Sequence, residues 1–209
     1  MGTDMRSIKG HKGDIRKMSF LRDEKLLLTA SCDSTIKVWQ LAPHEEALEA
    51  EQVEVDDLLA DISLESSTNL SSLDTSPVLV SKDKDVLVTT VRVHDFDVAS
   101  MALHPSHKLL ATSAANNCVR VWDLSDLDKV SLLHEFVGHR GAVNSVNWIR
   151  GESAFVSASQ DYDMFLYDTQ SSRRLAGFGF EGSILCTAVL PNQNVILAGG
   201  NHYDIKGYR

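Results

Sequence analysis

Between Val93 and Leu124 the chain reads VHDFDVASMALHPSHKLLATSAANNCVRVWDL. Apolar and polar residues alternate there three times, over Val98 to Leu103, Leu109 to Thr112 and Val119 to Trp122. A period of two marks half-buried strands, and the polar or Pro-containing breaks mark turns, so the stretch predicts a three-strand meander. The pattern recurs on a fixed ruler. His94 and Trp122 lie 28 positions apart, as do His11 and Trp39, His139 and Tyr167, and Phe180 and Tyr208. Four positions after each opening residue stand Ile15, Val98, Val143 and Ile184; nine after it stand Phe20, Leu103, Trp148 and Val189. Twenty-five after it come Ile36, Val119, Met164 and Ile205. Four copies in register identify an internal repeat.

A fourth strand candidate precedes each later copy, at Val86 to Val93, Ser131 to Val137 and Arg173 to Phe178, and Ile8, Val91 and Phe136 share its register. Four-stranded units cannot bury both sheet faces alone, so they stack on neighbours, and radial stacking gives a β-propeller. The expected fold is therefore all-β, with about four antiparallel blades near residues 10–41 plus 86–92, 94–137, 139–178 and 180–209. Arg150-Gly151-Glu152, Gln160 to Asp163, and Pro191 to Asn194 supply turns. Two arrangements remain open. In the first, residues 6–9 serve as the outermost strand of the last blade, closing a ring of four. Alternatively the array is partial and leaves apolar sheet faces and edges open, which predicts self-association. The partial array is favoured, because strongly matched repeats belong to larger rings.

The opening His and the closing Trp122-Asp123-Leu124 resemble a WD-repeat, the unit of a large propeller family. In that family a hydrogen-bonded tetrad of His, Ser/Thr, Asp and Trp locks each blade. The resemblance assigns His11, Thr29, Asp33 and Trp39 to the first tetrad, and His94, Thr112, Asn116 and Trp122 to the second. The third is His139, Ser157, Asp161 and Tyr167. Asn116 lacks the carboxylate charge, and Tyr167 places its donor differently from an indole. Phe180, Ala198, His202 and Tyr208 cannot build the network, so the fourth blade relies on packing.

Starts of successive copies lie 45 and 41 positions apart, but His11 and His94 are 83 apart. The surplus, residues 42–85, holds 12 of the 29 acidic residues and two of the 20 Lys/Arg. That leaves 18 basic against 17 acidic residues elsewhere, although the whole chain carries −9. This insertion is read as partly helical or disordered. Leu48, Val55, Leu59 and Ile62 share one helical face, a candidate docking helix for a partner groove. The Ser-rich tether after it carries Ser71 (followed by Asp74) and Ser76-Pro77 as conceivable phosphorylation sites, with a solvated linker as the plainer reading.

No clustered Lys/Arg marks a nucleic-acid footprint. The longest apolar runs are too short for a membrane span. Cys32, Cys118 and Cys186 are an odd, unclustered set, which favours reduced thiols and an intracellular setting, cytoplasmic or nuclear. The repeat explains the tetrad histidines better than a metal cluster does, and His44, His104, His107 and His134 are read as surface residues. His202-Tyr203-Asp204 lacks a third metal ligand, and no phosphate loop, H-E-x-x-H or G-x-S-x-G is present. No metal, cofactor or enzymatic activity is expected.

Members of the WD-repeat family mostly act as rigid platforms for proteins and peptides, so the resemblance implies a scaffold or adaptor. The turns that carry the tetrad His and Asp expose Lys12, Asp14, Phe96, Asp97, Arg140, Tyr162 and Tyr203 as candidate partner-binding residues. An alternative is a substrate receptor of a cullin-type ubiquitin ligase. Those receptors often carry Arg three positions after the repeat Trp, where this chain has Ala42, Ser125 and Gln170.

Overall fold

The computed structural model describes residues 7–21, 25–41, 85–149, 153–190, 195–201 and 204–208. The chain divides into two units, Met1–Gln40 with Leu87–Arg209, and Leu41–Val86. Only Leu41, Asp85 and Val86 of the second unit are described. The helical face of Leu48, Val55, Leu59 and Ile62 therefore lies outside the described residues, as do Ala42, His44, Ser71, Asp74, Ser76 and Pro77. The expected turns at residues 150–152 and 191–194 and the residues His202 and Tyr203 lie outside them too.

Every helix or strand among the described residues is a strand. The first sheet holds β1 (Ile15–Leu21), β2 (Leu26–Ser31), β3 (Thr35–Gln40) and β4 (Val86–Arg92). The second holds β5 (Val98–Leu103), β6 (Leu109–Ala114), β7 (Val119–Asp123) and β8 (Ser131–Phe136). The third holds β9 (Val143–Trp148), β10 (Ala154–Ser159), β11 (Asp163–Asp168) and β12 (Arg173–Gly179). The fourth has three strands, β13 (Ile184–Leu190), β14 (Val195–Gly200) and β15 (Ile205–Tyr208). Strands pair in chain order within each sheet, and the ladders between the described residues are antiparallel. The repeat also reaches finer detail. Each first strand slips register near its start, between Ile15 and Lys17, Val98 and Ser100, and Ile184 and Cys186, with the matching slip at Ser159 opposite Val143. A bulge at a constant place bends each innermost strand in the same way.

These innermost strands pack side by side in chain order, β1 on β5, β5 on β9 and β9 on β13. Three apolar cores fill the gaps between sheets. Leu28, Ile36 and Val38 of the first sheet meet Val98, Leu110 and Trp122 of the second. Val119, Val121 and Phe136 meet Val143, Phe155 and Tyr167 of the third. Val156 and Met164 meet Ile184 and Ile196 of the fourth. The second and third blades thus each bury one face against the preceding blade and the other against the following one.

Four blades with three cores form an open arc. Ile15 is 49% exposed, whereas Val98, Val143 and Ile184, at the same repeat position, are fully buried. Met18 and Phe20 extend that uncovered face, at 61% and 51% exposed. Ser7, Ile8 and Lys9 form no strand and the fourth sheet has three strands among the described residues, which agrees with the partial array and not with the ring of four. The reason is local. His11 is tied to its own blade, and at Gly10 a Cβ would stand 2.5 Å from the Trp39 ring, so Gly10 and His11 are held against blade 1.

The structure also corrects the reading of three histidines as plain surface residues, for all three are half-buried. His104 meets the edge of Trp148 with ring centroids 4.8 Å apart. His107 takes a left-handed backbone at φ 58°. His134 lies 2.9 Å from the Ser172 hydroxyl.

Candidate partner-binding face and the tetrads beneath it

In blade 1 the four expected residues meet in one chain of hydrogen bonds. The Trp39 indole donates to Thr29 Oγ1 at 2.9 Å. Thr29 Oγ1 lies 2.7 Å from His11 Nε2, and His11 Nδ1 lies 2.8 Å from Asp33 Oδ2. A carboxylate only accepts, so Nδ1 carries the proton and Nε2 accepts from the threonine hydroxyl. Asp33 also accepts from the Lys12 amide (2.9 Å), the Thr35 amide (3.1 Å) and the Thr35 hydroxyl (2.6 Å). Burial pushes this carboxyl up, but the bonds from Thr35, Lys12 and His11 together outweigh it and hold the group well below the usual range.

Blade 2 repeats the Trp122 to Thr112 link at 3.0 Å and the Thr112 to His94 Nε2 link at 3.0 Å. Its outer end differs. His94 Nδ1 faces Cys118 Sγ at 3.9 Å, and Cys118 donates to Asn116 Oδ1 at 3.2 Å. The thiol stands where blade 1 has Thr35, 24 positions after the opening His. Burial, with the nearby Arg120 charge, pushes the His94 pKa down to about 4, so the imidazole is neutral at pH 7.

Blade 3 joins His139 Nε2 to Ser157 Oγ at 2.8 Å and His139 Nδ1 to Asp161 Oδ2 at 3.0 Å. Burial lowers the His139 pKa despite Asp161, so this contact is a charge-assisted hydrogen bond from a neutral ring. Tyr167 does not take the place of the indole donor to Ser157. Its ring packs against Phe136 at 4.9 Å and Phe155 at 5.4 Å, and burial pushes its phenol up to about 12. Blade 4 is held by packing, with Tyr208 Oη donating to the Gly179 carbonyl at 3.1 Å.

In the first three blades the turn after the second strand holds a residue in the left-handed region: Ser34 at φ 68°, Asn117 at 63° and Tyr162 at 74°. Asn suits this conformation, whereas a bulky Tyr is strained in it. Asp161 holds the turn by accepting the Asp163 amide at 3.0 Å and the Arg140 amide at 2.7 Å, which leaves the Tyr162 side chain exposed. Lys12, Asp14, Phe96, Asp97 and Arg140 are exposed as well. They do not gather in one place. Asp97 lines a cleft of about 340 Å³ together with Arg16, Cys32, Asn144, Gln160 and Leu185. Lys12 lines a different cleft, of about 430 Å³. Among the described residues, no three His, Cys, Asp or Glu side chains converge as a metal site.

The family model for the WD domain, G-beta repeat, matches residues 2–40, 85–123 and 130–168, more than half of the chain. The chain belongs to the WD40 family. Human WD repeat-containing protein 37 is 25% identical over 205 residues, an alignment covering 78% of this chain and 41% of that protein. Pre-mRNA-processing factor 19 homolog 2 of Arabidopsis thaliana is 23% identical, with 85% of this chain and 34% of that protein covered. This WD40 chain thus spans under half the length of these curated relatives. The solved structure of U3-55K superposes with a TM-score of 0.69 at 18% identity, covering 97% of this chain and 50% of that one, which shows the propeller fold alone.

The first cleft draws on every blade, and of its residues sequence reasoning singles out Asp97 for binding and misses the others. Arg16, Ala99, Asn144 and Leu185 each stand five positions after the opening residue of a copy of the repeat, and all line it. Cys32, Ala115 and Gln160 stand 21 positions after it and line it too. The signal was the repeat frame itself. Positions that recur at one offset converge on the same end of the innermost strands, whatever their chemistry.

Proposed function

We propose that this WD40 chain is a non-catalytic platform that binds protein or peptide partners across the cleft lined by Arg16, Cys32, Asp97, Asn144, Gln160 and Leu185. The observation that carries this reading is that side chains from all four innermost strands or the loops leading into them line one open cleft. The mixture there of a cation, an acid, amides and an exposed leucine suits a peptide surface. The groups that a hydrolytic mechanism would need are committed elsewhere. The Thr29 hydroxyl and His11 ring serve the chain from Trp39 to Asp33, and the Ser157 hydroxyl serves His139. The resemblance to a pre-mRNA-processing factor supports a nuclear multiprotein assembly as the setting. The ubiquitin-ligase alternative gains nothing, since Ser125 and Gln170 stand where its arginines are expected.

The test is affinity capture with quantitative mass spectrometry. The chain is compared with Asp97→Lys and Leu185→Glu variants and with an Asp128→Asn control, an exposed position that does not line the cleft. Partners lost from both cleft variants and kept by the control are the expected result. Capture unchanged by either cleft substitution would overturn the assignment of this surface.

A further inference from the structure

A second cleft shows a break in the repeat that packing does not explain. Twenty-six positions after the opening residue, on the third strand of each blade, stand Lys37, Arg120, Phe165 and Lys206. In blade 2, Arg120 Nε donates to Glu135 on β8 at 2.6 Å and Nη1 to the Val93 carbonyl at 2.9 Å. In blade 4, Lys206 Nζ lies 2.8 Å from Glu181. Blade 3 dispenses with the cation, and Arg174 covers the Phe165 ring at 4.5 Å.

Blade 1 keeps the cation and loses the anion. Lys37 is buried, whereas Arg120 and Lys206 are half-buried, yet its ammonium donates to the neutral Thr90 hydroxyl at 2.8 Å. Thr90 precedes Val91 as Glu135 precedes Phe136, so a hydroxyl stands where blade 2 has its carboxylate. A buried charge is costly unless something opposite in sign meets it.

Lys37 and Thr90 open onto the cleft of about 430 Å³, with Lys12 and Arg92 on its rim. Arg92 has an exposed partner, Asp95, at 3.6 Å, a contact that solvent screens. The acid lining the cleft is Asp33, and its two oxygens already accept from His11, the Lys12 amide and both donors of Thr35. Three cations against Asp33, with Asp95 reaching only Arg92 at the rim, leave the cleft short of negative charge. A phosphate monoester supplies that charge near neutral pH, together with acceptor oxygens for the ammonium and the threonine hydroxyl. An extended polyanion fits less well, because the sequence holds no clustered Lys/Arg to track one.

We infer that this cleft recognises a phosphoserine or phosphothreonine side chain of a protein partner. Lys37 supplies the sheltered charge, Thr90 a hydrogen bond, and Lys12 and Arg92 the rim. The inference rests on the reading of the chain as a protein-binding platform and names the chemistry of one of its ligands.

The test uses the full chain and three labelled probes followed by fluorescence anisotropy: a degenerate peptide pool centred on phosphoserine or phosphothreonine, its unphosphorylated twin, and a short single-stranded RNA. The phosphorylated pool should bind about tenfold tighter than its twin or better, and weaken as salt rises. Thr90→Glu installs the blade 2 pair, so this variant should melt no lower than the parent and lose the phosphate-dependent binding. Lys37→Met should lose it as well. Inorganic phosphate should raise the melting temperature of the parent and not that of Thr90→Glu, which examines the cleft without any partner. Equal binding of the two peptide pools, binding unchanged by Thr90→Glu, or tighter binding of the RNA would overturn the inference. If partners are still captured under those outcomes, the platform reading stands without it.

Discussion

Ile36 and Ile205 occupy the same place in the repeat, 25 positions after the residue that opens their blade. Ile36 is fully buried, and Ile205 is 78% exposed. The difference lies in their neighbours. Ile36 lies in the core between the first and second sheets, whereas no following sheet covers Ile205 among the described residues. Met18, at the other end of the arc, is the matching uncovered side chain.

Self-association follows from these two faces, since each repeats the form of faces that already pack together inside the arc. We expect size-exclusion chromatography with light scattering to give a mass above that of one chain, falling on dilution. Met18→Lys combined with Ile205→Lys should return the monomer. A parent chain that is monomeric at all concentrations would show that the open faces do not drive association.

Thr29 is the central link of its tetrad, so Thr29→Val removes the acceptor for Trp39 and the donor for His11 while keeping the side chain's shape. Leaving buried polar partners unmatched costs about 1–3 kcal/mol. Tyr167→Phe deletes a hydroxyl that does not serve Ser157, and the cost should stay within about 0.5 kcal/mol. Urea denaturation of the two variants checks the ordering.

Acid should weaken the fold through His94. Its pKa is about 4 in the folded chain, below the ordinary value of 6.5. The unfolded state therefore binds more protons between those values, and stability falls as pH drops through that window. The contribution is fully present above the unfolded value and is on the order of 3 kcal/mol. Asp33, held below the carboxylate range, adds a further loss at lower pH, as its unfolded carboxyl takes up protons first. Stability measured from pH 7.5 to 4.5 should decline in the parent, and a His94→Gln variant should show a shallower slope.

The three thiols should separate by reactivity. Cys186 is exposed, Cys32 is half-buried beneath the Arg16 guanidinium at 2.9 Å, and Cys118 is buried. Burial pushes the Cys118 thiol up, which keeps it protonated as well as shielded. A disulfide reagent should consume Cys186 first and reach Cys118 only on unfolding. Prompt modification of Cys118 in the native chain would contradict its place between His94 and Asn116.

The sequence by itself determined the repeat frame, the strand positions and the full blade 1 tetrad. Strand alternation and turn chemistry are local, and the constant 28-residue span from opening to closing residue sets the same frame within each sheet. Only the tertiary structure decided what each position meets. Cys118 enters the second tetrad because β7 brings its thiol to His94, and Lys37 finds a hydroxyl on β4, 53 residues away, instead of a carboxylate. Leu185 and Arg16 share a cleft because innermost strands from the two ends of the arc converge there. Burial and pairing are properties of two surfaces at once, and a periodic sequence writes the same surface whether or not another blade lies against it.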